Sequence, residues 1–312
     1  MNKLLILSVD AEKYYTLIKE ADLQQLEISA ASDIISAREL IAGCNIILGD
    51  PPLVGEALAL ADSLEWVQSG WAGVEQLCRR GMRRDYVLTN AKGIFGPQIS
   101  EYVMTYLFAF ERGVFSMRNN QMARTWQPLA YRPAKEITLG IIGLGSIGRA
   151  LALTARQFGI RVTGLSRSGR PIKEVERVYT VDQLAEFLKE PDYVVLALPD
   201  TPQTNQLIHA DVLKMLKPTA VLINVGRGNS INEADLVYAL RKNIIGGAVL
   251  DVFEKEPLDK DSPLWKLANV VITPHTSAIS FPGDVSTIFI ENYHRFTRRE
   301  PLKYVVDFEL GY

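Results

Sequence analysis

Gly143-Leu144-Gly145-Ser146-Ile147-Gly148 follows an apolar run, Leu139 to Ile142, and opens a helical pattern that lasts to Phe158. Between a strand and a helix, G-x-G-x-x-G is the arrangement that holds a dinucleotide. Gly143 permits the tight turn, Gly145 lets a pyrophosphate approach the backbone, and Gly148 lets the helix pack on the strand. The helix N-terminus adds N–H donors and a positive dipole end. The next apolar run, Arg161 to Leu165, ends in Ser166-Arg167-Ser168-Gly169-Arg170. An NAD site places an acid here to bind the ribose hydroxyls. None is present, and Ser166 stands in its place. Hydroxyls and guanidinium groups at Ser166, Arg167, Ser168 and Arg170 suit a 2′-phosphate by charge-assisted hydrogen bonds. The expected cofactor is therefore NADP(H) in preference to NAD(H).

Four more polar residues follow later apolar runs. Arg227 comes after Ala220 to Gly226, Asp251 and Glu256 after Gly247 to Leu250, and His275 after Val270 to Pro274. In an open α/β sheet, ligands bind outside the carboxyl ends of the strands. These four side chains are thus expected near the nicotinamide end of a bound dinucleotide. They comprise a fork of donors, two carboxylates and a group that titrates near neutrality.

The elements that must carry these residues alternate. Strands are predicted at Leu4–Leu7, Asn45–Leu48, Leu64–Val67 and Tyr86–Thr89, with helical patterns between them. One long helix is predicted from near Ile99 to about Met122, then a polar link with Trp126, Pro128 and Pro133. A second series predicts six strands, Leu139–Ile142, Arg161–Leu165, Tyr193–Leu198, Ala220–Val225, Gly247–Leu250 and Val270–Thr273, and a last helix from Pro282 to Arg298. Short buried runs spaced by helices mean parallel sheets covered on both faces.

With 312 residues, 47% of them hydrophobic and 22% charged, the chain suits two globular domains. A net charge of −2 excludes a general nucleic-acid binder or an anionic-lipid binder. Two cysteines and three histidines suggest neither a disulfide framework nor a metal cluster, so no metal is expected. No run reads as a signal peptide or a membrane span, which points to the cytoplasm.

Taken in order, Gly143 to Gly148, Thr201-Pro202-Gln203-Thr204, Asn224-Val225-Gly226-Arg227-Gly228, Asp251 to Leu258 and Thr273-Pro274-His275 resemble the D-isomer-specific 2-hydroxyacid dehydrogenases. Gln68 to Val74 resembles that family's substrate-carboxylate loop. The tail, Val305 to Tyr312, is similar to members of the glyoxylate/hydroxypyruvate reductase type. The resemblance implies a Rossmann-type doubly wound sheet, residues 101–282, inserted into a flavodoxin-like substrate domain made of residues 1–100 and 283–312. It implies a catalytic set of Arg227, Glu256 and His275, and substrate contacts from Trp71, Ala72, Gly73, Arg227 and His275. It extends the cofactor contacts from the glycine loop to Leu144, Ser146, Ile147, Leu198, Pro199, Thr204, Val225, Gly226, Asp251, His275 and Met104. Core packing is an equal alternative for Met104. The implied activity is reduction of a small 2-oxo acid such as glyoxylate or hydroxypyruvate with NADPH, in a homodimer. Glu256 separates the chain from the similar formate dehydrogenases, which carry Gln there. The alternatives are a dinucleotide-sensing protein of the corepressor type on the same fold, and an NAD-preferring dehydrogenase of another 2-hydroxy acid.

Overall fold

A computed structural model describes residues 1–311; Tyr312, the last residue of the tail, lies outside the described residues. The chain divides into two units, 1–94 with 280–312, and 95–279.

In the first unit the order is β1 (Asn2–Leu7), α1 (Ala11–Glu20), β2 (Leu26–Ala31), α2 (Ile34–Leu40), β3 (Ile46–Gly49), α3 (Pro51–Ala57), β4 (Trp66–Ser69) and β5 (Val87–Thr89). The strands form one parallel sheet in the order β2-β1-β3-β4-β5, the flavodoxin-like arrangement. All four residues of β3 and of β4 are buried, as strands covered on both faces require. The chain returns to this unit at its end, and three contacts explain why. The Trp66 ring stacks on Phe289 with centroids 5.1 Å apart. Asn292 donates to Gln68 Oε1. Val306 N–H donates to Leu88 O, so the tail extends the sheet beyond β5.

The second unit begins with two helices, α4 (Phe95–Glu111) and α5 (Val114–Met122). A single helix was expected here. It breaks at Gly113, which is left-handed at φ +61, and a Cβ there would lie 2.8 Å from Leu129. Then come β6 (Thr138–Ile142), α6 (Ser146–Gln157), β7 (Arg161–Leu165), β8 (Arg177–Tyr179), α7 (Leu184–Phe187), β9 (Tyr193–Leu196), α8 (Ala210–Leu213), β10 (Val221–Asn224), α9 (Glu233–Arg241), β11 (Gly247–Leu250) and β12 (Val270–Ile272). A final helix, α10 (Pro282–Thr297), belongs to the first unit. The seven strands are all parallel, in the order β12-β11-β10-β9-β6-β7-β8. The order reverses between β6 and β9, and that switch point is where a doubly wound sheet leaves a crevice for ligand. β2 and β8 were not anticipated; both are edge strands, and neither is fully buried. Among the described residues no helix is long and apolar enough to cross a membrane.

Candidate active site

Because the strands of the second unit run parallel, the residues after each of them share one edge of the sheet. After β6 the chain turns at Gly143, with φ +102, and a Cβ there would lie 2.4 Å from Ala197 O on the loop after β9. A Cβ on Gly148 would lie 2.1 Å from Gly143 O, so α6 sits directly against the turn. Gly145 caps α6 and faces open space, with no atom within 4 Å of the position a Cβ would take. Ser146 and Ile147 follow in the first helical turn, where N–H groups have no acceptor within the helix. An open glycine in front of outward N–H donors is what a pyrophosphate fits. Past β7, Ser166 Oγ accepts from Gly169 N–H and closes a turn that leaves Arg167, Ser168 and Arg170 exposed, with no acid among them.

The loop after β10 carries Arg227. A Cβ on Gly226 would lie 2.8 Å from both N and O of Leu198, so the loops that hold Leu198–Pro199 and Val225–Gly226 run backbone against backbone. One Arg227 N–H donates to Gly226 O at 2.8 Å. The carbonyl of Arg227 accepts from Asn224 Nδ2 at 3.0 Å and from Ser230 Oγ at 2.6 Å, and both of those residues are buried. A Cβ on Gly228 would overlap the Phe253 carbonyl carbon, 1.8 Å away, which brings the Arg227 loop onto the 251–256 loop.

Glu256 joins that loop to the one after β12. Its Oε1 accepts from Phe253 N–H at 3.0 Å, and its Oε2 lies 2.7 Å from His275 Nδ1. Burial works against the charge on Glu256. The bonds from His275 and Phe253, with the charges of His275 and Arg227, outweigh it and hold the carboxyl below its ordinary range. The hydrogen bond to Glu256 is the largest influence on His275 and raises its pKa, against burial and the charge of Arg227. With Nδ1 bound to Glu256, the other ring nitrogen is the one left for a reacting group, and the side chain is half-exposed. An imidazole held in this way can act chemically as a general acid through its other ring nitrogen.

A family model described as "D-isomer specific 2-hydroxyacid dehydrogenase, NAD binding domain" matches residues 104–277, from α4 through His275. The chain belongs to this family. A D-isomer-specific 2-hydroxyacid dehydrogenase family protein from Aeromonas salmonicida is 46% identical, with a TM-score of 0.95 over 98% of this chain and 99% of that one. An NADPH-dependent glyoxylate/hydroxypyruvate reductase from Sinorhizobium meliloti, solved with NADP and sulfate, is 28% identical, with a TM-score of 0.90 over the whole of both chains. A glyoxylate/hydroxypyruvate reductase A from Photorhabdus laumondii is 32% identical over 82% of this chain and 84% of its own.

In this dehydrogenase, then, Arg227, Glu256 and His275 stand on three successive loops of one sheet edge, and the glycine loop stands on the same edge. Three of the expected cofactor residues are engaged within the protein. Asp251, expected at the nicotinamide, is entirely buried, and its carboxylate accepts from Thr273 Oγ, Thr276 N–H and Ser277 N–H. Thr204 turns its hydroxyl onto its own loop, donating to Pro199 O at 2.8 Å and accepting from Thr201 N–H at 3.0 Å. Met104 is 5% exposed, packed on α4. In the other unit, the Trp71–Gly73 loop is fixed by its own chain. Ser69 Oγ accepts from Trp71 N–H and donates to Trp71 O, and Asn90 donates to Ala72 O. Asn224 and Ser230 were missed as supports of Arg227. Two buried polar residues three positions either side of an Arg were the available signal.

Proposed function

We propose that the protein reduces small 2-oxo acids of the glyoxylate and hydroxypyruvate kind to 2-hydroxy acids, with NADPH. The observation that carries this reading is the His275 Nδ1–Glu256 contact at 2.7 Å, beside the Arg227 loop and on the glycine-loop edge. It is supported by the reductase names of the relatives and by NADP in the S. meliloti structure. NADPH would be held by the glycine loop, the α6 N-terminus, and Ser166, Arg167, Ser168 and Arg170; bound there, it supplies the hydride. The guanidinium of Arg227 binds the substrate carboxylate and polarises the keto oxygen, with its main chain clamped by Asn224 and Ser230. His275 gives the proton on its outer ring nitrogen to the keto oxygen as charge develops there, and solvent restores it. Glu256 keeps the imidazole in the right tautomer and favours its protonated form.

The partner reading is a second copy of this chain. Helix α5 has no buried residue. It exposes Val114, Phe115, Met117 and Met122, and Trp126 on the following arm is 97% exposed. So much apolar surface within thirteen residues calls for cover.

Initial rates of NADPH oxidation with glyoxylate, hydroxypyruvate, pyruvate and phenylpyruvate, each repeated with NADH, test the function. NADPH-selective turnover of glyoxylate or hydroxypyruvate is expected. A preference for NADH would overturn the reading of Ser166, Arg167 and Arg170. Tight NADPH binding with no turnover of any of the four would instead favour the sensing protein.

A further inference from the structure

The proton transfer assigned above needs the His275 ring held against Glu256, and this inference rests on that assignment. His275 does not sit on regular structure. Its backbone is left-handed at φ +53, a conformation a non-glycine residue keeps only when its surroundings enforce it. The enforcing group is Asp251. Its Oδ1 accepts from Thr273 Oγ at 2.6 Å and from Thr276 N–H at 2.8 Å, and its Oδ2 accepts from Ser277 N–H at 2.9 Å. The Asp251 carbonyl accepts from His275 N–H at 2.9 Å. One buried residue therefore grips the loop before, at and after His275.

The grip has a further member on another element. Tyr102 of α4 places its hydroxyl 2.6 Å from Thr273 Oγ. A threonine hydroxyl has one hydrogen, and here it goes to Asp251. Thr273 must therefore accept, and Tyr102 must donate. The three groups form a directed chain, Tyr102 O–H to Thr273 O–H to the Asp251 carboxylate. Burial pushes the Tyr102 phenol pKa well up, so the donor keeps its proton. Tyr106, one turn along α4, has its ring centroid 4.7 Å from that of Tyr102 and has no part in the chain.

We propose that Tyr102 is a positioning residue for the reaction: its hydroxyl fixes Thr273 in the rotamer that donates to Asp251, and so holds the 273–277 loop with the imidazole of His275 against Glu256.

The chain has three histidines, so the His275 ring signals, assigned with His275→Gln, can be followed by NMR through a pH titration of the cofactor-free protein. The charged groups acting on the ring are Glu256, Arg227 and Asp251, and none of the variants below changes them. In Tyr102→Phe the midpoint is expected to fall toward the ordinary histidine value, because the Glu256 contact is made less of the time. Thr273→Val should do the same, Thr273→Ser should restore the wild-type midpoint, and Tyr106→Phe should leave it unmoved. With glyoxylate and NADPH, kcat in Tyr102→Phe should fall about two- to tenfold, the worth of one hydrogen bond, at unchanged KM for NADPH. An unchanged midpoint in folded Tyr102→Phe and Thr273→Val overturns the proposal, whatever kcat does. If Tyr102→Phe does not fold, the Thr273→Val and Thr273→Ser pair decides by the same criterion. The titration needs neither cofactor nor substrate, so it still decides the role of Tyr102 if the reductase reading fails.

Discussion

His275 and Glu256 acquire opposite shifts from one contact, and the direction of each sets a pH limb. The pKa of His275 is raised by the bond to Glu256, so the imidazole stays protonated above the ordinary histidine value. Reduction needs that proton. Its kcat/KM should hold up to the raised value and be lost as pH rises through it, whereas oxidation of a 2-hydroxy acid should show the reverse limb. Glu256 is held below the ordinary carboxyl range, so the acid limb lies lower than a free glutamate would give. In Glu256→Gln the support for the charged imidazole is gone, and the alkaline limb of reduction should move to lower pH. Steady-state kinetics across pH in both directions check this, and an unmoved limb would show that Glu256 does not govern His275. Ser166→Asp places a carboxylate where a 2′-phosphate is expected to bind. KM for NADPH should rise about tenfold or more while KM for NADH falls, from the loss of charge-assisted bonds of about 1.5–3 kcal/mol. Equal effects on both cofactors would place the 2′-phosphate elsewhere.

The elements show why some of this was legible in the sequence and some was not. Strands with two covered faces, such as β6, β9 and β10, are short unbroken apolar runs, and each was anticipated within one or two residues. β2, reading Leu-Glu-Ile-Ser-Ala-Ala, is only partly buried and pairs on one side, so its pattern is diluted. β8 has three residues and gives almost no period to read. The break between α4 and α5 depends on Gly113 meeting Leu129, a tertiary contact that the helical pattern conceals. The placement of the glycine loop between β6 and α6, and of Arg227, Glu256 and His275 after strands, was legible because apolar runs mark the strands that precede them. The hydrogen-bond partners of Asp251 and Thr204 were not, because a residue type does not say which of its neighbours it will bond. Gly143 gives the sharpest test at this scale. In Gly143→Ala the new Cβ meets Ala197 O at a φ of +102, so the cost is about 1–3 kcal/mol or more. Thermal unfolding should show a Tm several degrees lower; an unchanged Tm would mean that the turn relaxes freely.

At the scale of the whole molecule, the first unit is built from two separate segments because the helix and tail after residue 280 pack on and extend its sheet. Trp66 stacks on Phe289, and Val306 pairs with Leu88. The family resemblance made this insertion readable, since alternation of strands and helices alone would not reveal a return to the first domain. The exposed apolar side chains of α5 and its following arm belong to this scale too. Light scattering should give twice the mass of one chain, and charged replacements at Met117 and Met122 should yield a monomer that keeps its secondary structure. A wild-type monomer would leave that surface to another partner. Proton supply by His275 is to be measured as NADPH oxidation with glyoxylate or hydroxypyruvate in wild type and His275→Gln, with NADPH affinity determined in both. Equal NADPH binding is expected, with a variant rate lower by about 10²–10⁴-fold, the span of general acid catalysis. A His275→Gln protein that turns over as fast as wild type would contradict it.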